Sequence, residues 1–217
     1  METVTTYRAP VSFLPHRPVQ EVAKGRVIYS ALQPCASLYL VVLGRVKVSI
    51  AVRDGAETIG RIVCKAGIFG ESVLIDAPGR SESAVALEKV TLMSWSRKEI
   101  EQHAGRDPRL GMALAQYLAR QCLELQDRMA CMAVYKTPER VMLALVQLAG
   151  AGGSPTADGM IRVASLTHQT IAEYVGTTRE IVTSQLNRLR KLGLIRYSRR
   201  YMDISVNKIE GRSISAT

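Results

Sequence analysis

The sequence predicts an α+β chain in three parts: an N-terminal antiparallel β-roll, one long helix, and a C-terminal pair of short helices followed by a β-hairpin. Three observations predict it. Apolar and polar residues alternate at period two through residues 45–52. An apolar stripe with steps of four, three, four and three runs through Leu118, Cys122, Leu125, Met129 and Met132. Two short amphipathic segments meet at Gly176.

The strands come first. Residues 27–29, 37–42, 45–52, 57–63 and 90–95 read as short β segments, separated by turns at Gly25, Gly44, Gly55, Gly60, Gly67 and Gly70. In 45–52 the larger apolar side chains take every second place, so one face packs inward while Arg45, Lys47 and Ser49 stay wet. Several such strands at short spacing, with no helix between them, fit a roll or barrel better than a parallel sheet with crossover helices.

Near Ser96 the pattern changes. Ser96 to Glu99 reads as a capping box opening a short helix, and Asp107-Pro108 as the N-cap and first position of a long one. The stripe on that long helix fits two uses: the seam of a parallel coiled coil between two identical chains, or a cover for the roll. After Thr137-Pro138 an amphipathic helix runs to Leu148, residues 149–155 read as an exposed loop, and 160–163 as a strand.

Thr167 is the expected N-cap of the next helix, with Ile171, Ala172 and Val175 on its apolar face and Gly176 at the turn. Thr178 caps a second helix that reaches about Leu192 and turns Val182, Leu186 and Leu189 inward. Two helices joined this tightly form a helix-turn-helix, whose second helix presents its N-terminal residues to base edges in the major groove. Arg179, Glu180, Thr183 and Ser184 are the candidate base readers, because Arg179 can donate two bonds to guanine and Glu180 can accept from cytosine. Residues 194–197 and 201–204 pair as a wing with a basic tip. Candidate phosphate contacts are His168, Gln169, Thr178, Arg188, Arg199 and Arg200.

Composition supports this reading. The 217 residues are 47% hydrophobic and carry a formal net charge of +10, which excludes a disordered chain and favours a polyanionic partner. Cys35, Cys64, Cys122 and Cys131 are scattered without a paired motif, against a disulfide scaffold, a zinc site or any other metal centre. Neither a signal peptide nor a spanning segment is visible, so the expectation is a cytoplasmic protein with no membrane partner. No His-rich metal triad and no Ser-His-Asp or Cys-His arrangement stands out, so an enzyme is not expected.

The segments 37–48, Phe69-Gly70-Glu71 and 175–182 resemble the family of the catabolite activator protein and the fumarate and nitrate reduction regulator, the CRP/FNR family, and the likeness covers nearly the whole chain. The resemblance implies a cyclic-nucleotide-binding-like roll over 1–106, a dimerisation helix over 107–136 and a winged helix-turn-helix over 137–217. It implies a homodimeric transcription regulator on palindromic double-stranded DNA, with RNA polymerase as a further partner, gated by a small effector where roll and long helix meet. It also assigns the stripe to the dimer seam. For a cyclic nucleotide it places Gly70, Glu71, Ser72, Arg80 and Ser81 around phosphate and ribose, and Leu125 and Gln126 where the nucleotide-binding members carry a threonine and a serine against the purine. The Glu71-to-Arg80 interval is one residue shorter than in those members. The alternative is a roll with no bound cofactor, in which Glu71 and Arg80 form a structural ion pair and DNA binding needs no effector. Haem on His16 or His103, and redox sensing through Cys122, rank below both.

Overall fold

The computed structural model describes residues 9–31, 33, 34, 36–51, 57–75 and 81–209; Cys35, Gly55 and Arg80 lie outside them. The chain forms two compact units. One joins Met1–Ala51 to Arg61–Ala130, and the other joins Val52–Gly60 to Cys131–Thr217.

Among the described residues eight strands make two sheets, all in the first unit except for residues 57–60 of the fifth strand. They are β1 (Gln20–Val22), β2 (Val27–Tyr29), β3 (Ser37–Leu43), β4 (Val46–Ala51), β5 (Glu57–Val63), β6 (Ile68–Phe69), β7 (Glu82–Ala86) and β8 (Val90–Ser96). One sheet has the order β1-β8-β3-β6 and the other β2-β7-β4-β5. β3 and β8 pair antiparallel, with Leu38 opposite Trp95 and Leu40 opposite Met93. Both faces of this pair are covered, which explains why 37–43 reads as a nearly continuous apolar run. Val41, Val90 and Leu92 face the roll interior with Tyr29, Val46, Val48 and Phe69. Leu38, Leu40, Met93 and Trp95 face the opposite way, against Ile100, Leu110, Leu114 and Tyr117.

Those last residues belong to α1 (Arg97–Arg106) and α2 (Arg109–Val134). The expected capping box is present: the Ser96 N–H donates to Glu99 Oε2 at 2.8 Å, and the Glu99 N–H donates to Ser96 Oγ at 3.4 Å. Asp107 Oδ1 accepts from the Arg109 N–H at 3.1 Å, as an N-cap should.

Some expectations need correction. β1, β6 and β7 were not legible as strands. β7 reads Glu-Ser-Ala-Val-Ala, too small and polar to signal itself, and is held by β2 and β4 on either side. A short 3₁₀ turn, Glu71–Leu74, does interrupt the strands. Ser49 is buried and Ile50 exposed, the reverse of the expected alternation. On the Ser49 side, its cross-strand partner Ser83 accepts through Oγ from the Ala31 N–H at 3.0 Å, a non-local contact that period-two alternation does not register.

The second unit contains α3 (Thr137–Gly152), β9 (Ser154–Pro155), β10 (Ile161–Ala164), α4 (His168–Val175), α5 (Arg179–Lys191), β11 (Ile195–Tyr197) and β12 (Tyr201–Ile204). Its sheet has the order β11-β12-β10-β9. The expected loop at 149–155 is instead the last turn of α3 followed by β9. Ala149 is buried and holds that turn in the core. Gly153 ends the helix where a Cβ would stand 2.2 Å from Ile161 Cγ2, so only glycine lets β10 come this close.

Candidate nucleic-acid interface and effector site

The two short helices form as the sequence requires. Thr167 Oγ1 accepts from the Thr170 N–H at 3.0 Å and opens α4. Gly176 closes it at φ +72°, a left-handed backbone that would strain any side chain. Thr178 then caps α5, accepting from the Ile181 N–H at 3.5 Å. Val182, Leu186 and Leu189 of α5 are buried, so the helix is fixed by one apolar face. Each such side chain contributes on the order of 1.5–3 kcal/mol relative to exposure.

The other face is polar, and its residues divide into two groups. Arg179, Glu180, Ser184 and Arg188 are exposed, as are Gln169, Thr178, Arg199 and Arg200. The amide and hydroxyl at the start of α5, with Arg179 beside them, hold the Glu180 carboxyl below the usual carboxylate range. Thr183 and His168 are instead tied to each other. Thr183 Oγ1 donates to the Arg179 carbonyl at 2.8 Å and lies 2.8 Å from His168 Nδ1. With the hydroxyl hydrogen so used, Nδ1 must carry the proton of that second bond. Burial, and then Arg179, lower the His168 pKa. The ring also meets Tyr197 edge-on at 5.8 Å, and the Tyr197 hydroxyl donates to Asn187 Oδ1 at 3.3 Å.

The wing has a buried charge at its root. Asp203, the cross-strand partner of both Arg162 and Arg196, accepts from Arg162 at 2.7 and 2.9 Å and from Arg196 at 3.5 Å. These bonds, Arg162 first, hold its carboxyl below the ordinary range. Arg196 is also paired with Asp158. The tip residues Arg199 and Arg200 stay exposed.

In the roll, Gly70 precedes the 3₁₀ turn that begins with Glu71 and Ser72, and Ser81 is exposed just before β7. Leu125 and Gln126 are exposed on α2. The partner of Glu71 among the described residues was not foreseen: it is Arg61 of β5. One guanidinium nitrogen holds both Glu71 oxygens, one of them at 2.6 Å, and the other nitrogen donates to Gln121 Oε1 on α2 at 2.9 Å. Burial works against this charge, yet the Glu71 carboxylate outweighs it and raises the Arg61 pKa. One helical turn before Gln121, the Tyr117 hydroxyl donates to the Ile68 carbonyl at 2.7 Å and accepts from the Ile68 N–H at 3.2 Å; burial pushes this phenol up to about 12. Tyr29, Tyr39 and Phe69 stack in the roll with centroids 5.0–6.0 Å apart, and the Tyr29 hydroxyl donates to Glu82 at 2.6 Å. The missed signal was period-two: Arg61 shares a strand face with Ile59 and Val63, both buried.

The stripe Leu118, Cys122, Leu125, Met129 and Met132 is exposed, with Leu125 at 52% and Met129 at 71%. The face of α2 that covers the roll is a different one: Leu110, Ala113, Leu114 and Tyr117. His16 is exposed, and His103 lies on α1. Among the described residues no helix is long and apolar enough to cross a membrane.

Comparison with known proteins agrees with this geometry. Residues 19–107 match the cyclic nucleotide-binding domain, and residues 139–211 match the Crp-like helix-turn-helix domain. The cyclic AMP receptor protein of Thermus thermophilus is 30% identical over 160 residues, 74% of this chain and 71% of that protein. A CRP-like cAMP-activated global transcriptional regulator of Mycobacterium tuberculosis is 28% identical over 173 residues, 80% of this chain and 77% of its own length. The structure of FixK2 from Bradyrhizobium japonicum superposes with a TM-score of 0.78 at 23% identity, covering 89% of this chain and 96% of the other. A roll of this type joined to a Crp-like helix-turn-helix defines a DNA-binding transcription regulator. The chain belongs to the CRP/FNR family.

Proposed function

We propose that this regulator binds DNA as a homodimer and reads a two-fold-symmetric site with α5 in the major groove. The observation that carries this is the division of α5 into a buried apolar face and an exposed N-terminal end bearing Arg179, Glu180 and Ser184. Arg179 and Glu180 read a G·C pair, with Ser184 and the Thr183 methyl facing the neighbouring bases. His168, Gln169, Thr178, Arg188, Arg199 and Arg200 meet phosphates. The exposed stripe on α2 supports the dimer, because a run of apolar side chains with heptad steps is covered when two copies pair in parallel. RNA polymerase in the cytoplasm is the partner that this role brings with it.

Control falls to the junction of roll and α2. The resemblance suggests a small effector there, a cyclic nucleotide first. The alternative, DNA binding without an effector, is favoured by the Arg61–Glu71 pair, which engages the carboxylate that a nucleotide would need. Selection of duplexes from a random pool, with sedimentation of the free protein, tests the main reading. A palindrome with half-sites about one helical turn apart is expected, from a dimer. A strictly monomeric protein with no preference for any duplex at moderate salt would overturn it.

A further inference from the structure

The polar cluster of the roll centres on a residue that the family resemblance did not assign. Arg61 projects from the face of β5 that also carries the buried Ile59 and Val63, and it meets groups from two other elements. Glu71 comes from the turn after β6, and Gln121 from α2. Four residues earlier on the same helix, Tyr117 holds both backbone groups of Ile68 in β6. α2 is thus fastened to the roll at two points one turn apart, and Arg61 makes one of them.

We propose that Arg61 is a built-in occupant of the effector site: it takes the Glu71 carboxylate and the Gln121 amide that a small molecule would otherwise engage, and so sets the junction of roll and α2 for DNA binding without any ligand. This rests on the reading that the junction is the control point. The chemistry favours an internal cation. A guanidinium is permanently charged and carries five donors in a fixed fork, so it can hold a carboxylate on one side and an amide oxygen on the other with no change of protonation. Its side chain is 23% exposed and that of Glu71 17%, so the pair is largely shielded from solvent. An incoming ribose hydroxyl would have to displace Arg61 from Glu71. Removing one partner of such a pair leaves the other uncompensated, which lowers ligand affinity by roughly 100-fold or more. The described surroundings also disfavour an anion. Glu82, whose carboxylate already accepts from Tyr29, acts on Arg61 as a second negative charge.

The experiment uses the full-length protein. Calorimetry with cAMP and with cGMP up to about 1 mM should give no binding heat, and affinity for the selected operator should change by less than about twofold when either is added. Arg61→Ser should weaken operator binding at least about tenfold and speed hydrogen exchange in α2 around residues 117–125. Arg61→Lys should fall between the two. Exchanging the charges in the double variant Arg61→Glu, Glu71→Arg should recover part of the loss, a rescue that a purely space-filling role would not give.

Micromolar nucleotide binding by the wild type, with tighter operator binding, would overturn the proposal; so would Arg61→Ser binding the operator as the wild type does. If Arg61→Ser does not fold, the wild-type measurements decide alone. Nucleotide-dependent binding to a palindrome would sink this inference and leave the DNA-reading function standing. No preference for any duplex under either condition would sink the function itself.

Discussion

The junction of roll and α2 and the exposed face of α5 are both rich in polar side chains, but they are put to opposite uses. At the junction, Arg61, Glu71, Gln121 and Tyr117 bond to one another and to backbone, so their hydrogen-bonding capacity stays inside the protein. On α5, Arg179, Glu180 and Ser184 are exposed. Polar groups bonded internally fix geometry, whereas exposed ones remain available to a partner. Substitutions at the first place should therefore alter stability and reach DNA only through the setting of α2, whereas those at the second should alter recognition directly.

The largest effect is expected at Tyr117. Tyr117→Phe keeps the ring but leaves the Ile68 N–H and carbonyl without their partner in a buried site, at a cost of about 3 kcal/mol. Urea unfolding should show this as a lower midpoint with unchanged slope. A loss below about 0.5 kcal/mol would mean that water replaces the hydroxyl and that this junction is wetter than its burial indicates.

Asp203 comes next and tests the same principle within the DNA-binding unit. Asp203→Ala strips Arg162 and Arg196 of a shared partner, but both can rehydrate, so about 2 kcal/mol is expected. Its lowered carboxyl pKa fixes the sign of the pH dependence. The contribution is full above the unfolded carboxylate range and disappears as pH falls through the lower folded value. Wild type and variant should therefore converge in acid, as followed by thermal melts from pH 7 to pH 2.

Arg179 breaks the comparison from the other side. Arg179→Ala should leave the melting temperature unchanged and reduce discrimination at one base pair by about 1 to 2 kcal/mol, whereas Arg199→Ala should weaken all duplexes alike and flatten the salt dependence. Competition against single-base operator variants separates the two. Equal effects on every sequence would remove the distinction between reading and attraction.

How much of this was legible follows the same division. The caps at Ser96, Thr167 and Thr178, the turn at Gly176 and the wing strands were legible because each depends on local chemistry within a few residues. The stripe on α2 was legible as a pattern, but not its exposure, since periodicity says that a face is apolar and not what covers it. Arg61 escaped because its partners lie 10 and 60 residues away in sequence. Only its place between Ile59 and Val63 marks it, on a strand face that the sequence alone does not show to be inward. Ser49 differs for a related reason: the period of two in β4 is legible in sequence, but which face is buried at its far end depends on non-local neighbours, Ser83 across the strand pair among them.

His168 is expected to give the smallest effect and the sharpest contrast, because it belongs to both groups. Its Nδ1 is bonded to Thr183, which ties α4 to α5, and its pKa is lowered by burial and by Arg179. A histidine depressed in the folded state favours the neutral ring there. Its contribution to stability is full above the unfolded value of 6.5 and is lost as pH falls through the lower folded one. The melting temperature between pH 7 and pH 5 should fall about 1 to 2 °C more in the wild type than in His168→Gln, which retains a donor for Thr183. Operator affinity should run the other way. If the ring meets a phosphate, its protonation adds a charge to the interface, so lowering the pH tightens wild-type binding and leaves His168→Gln unchanged. A wild type whose affinity and stability fall together would place His168 wholly among the internally bonded groups.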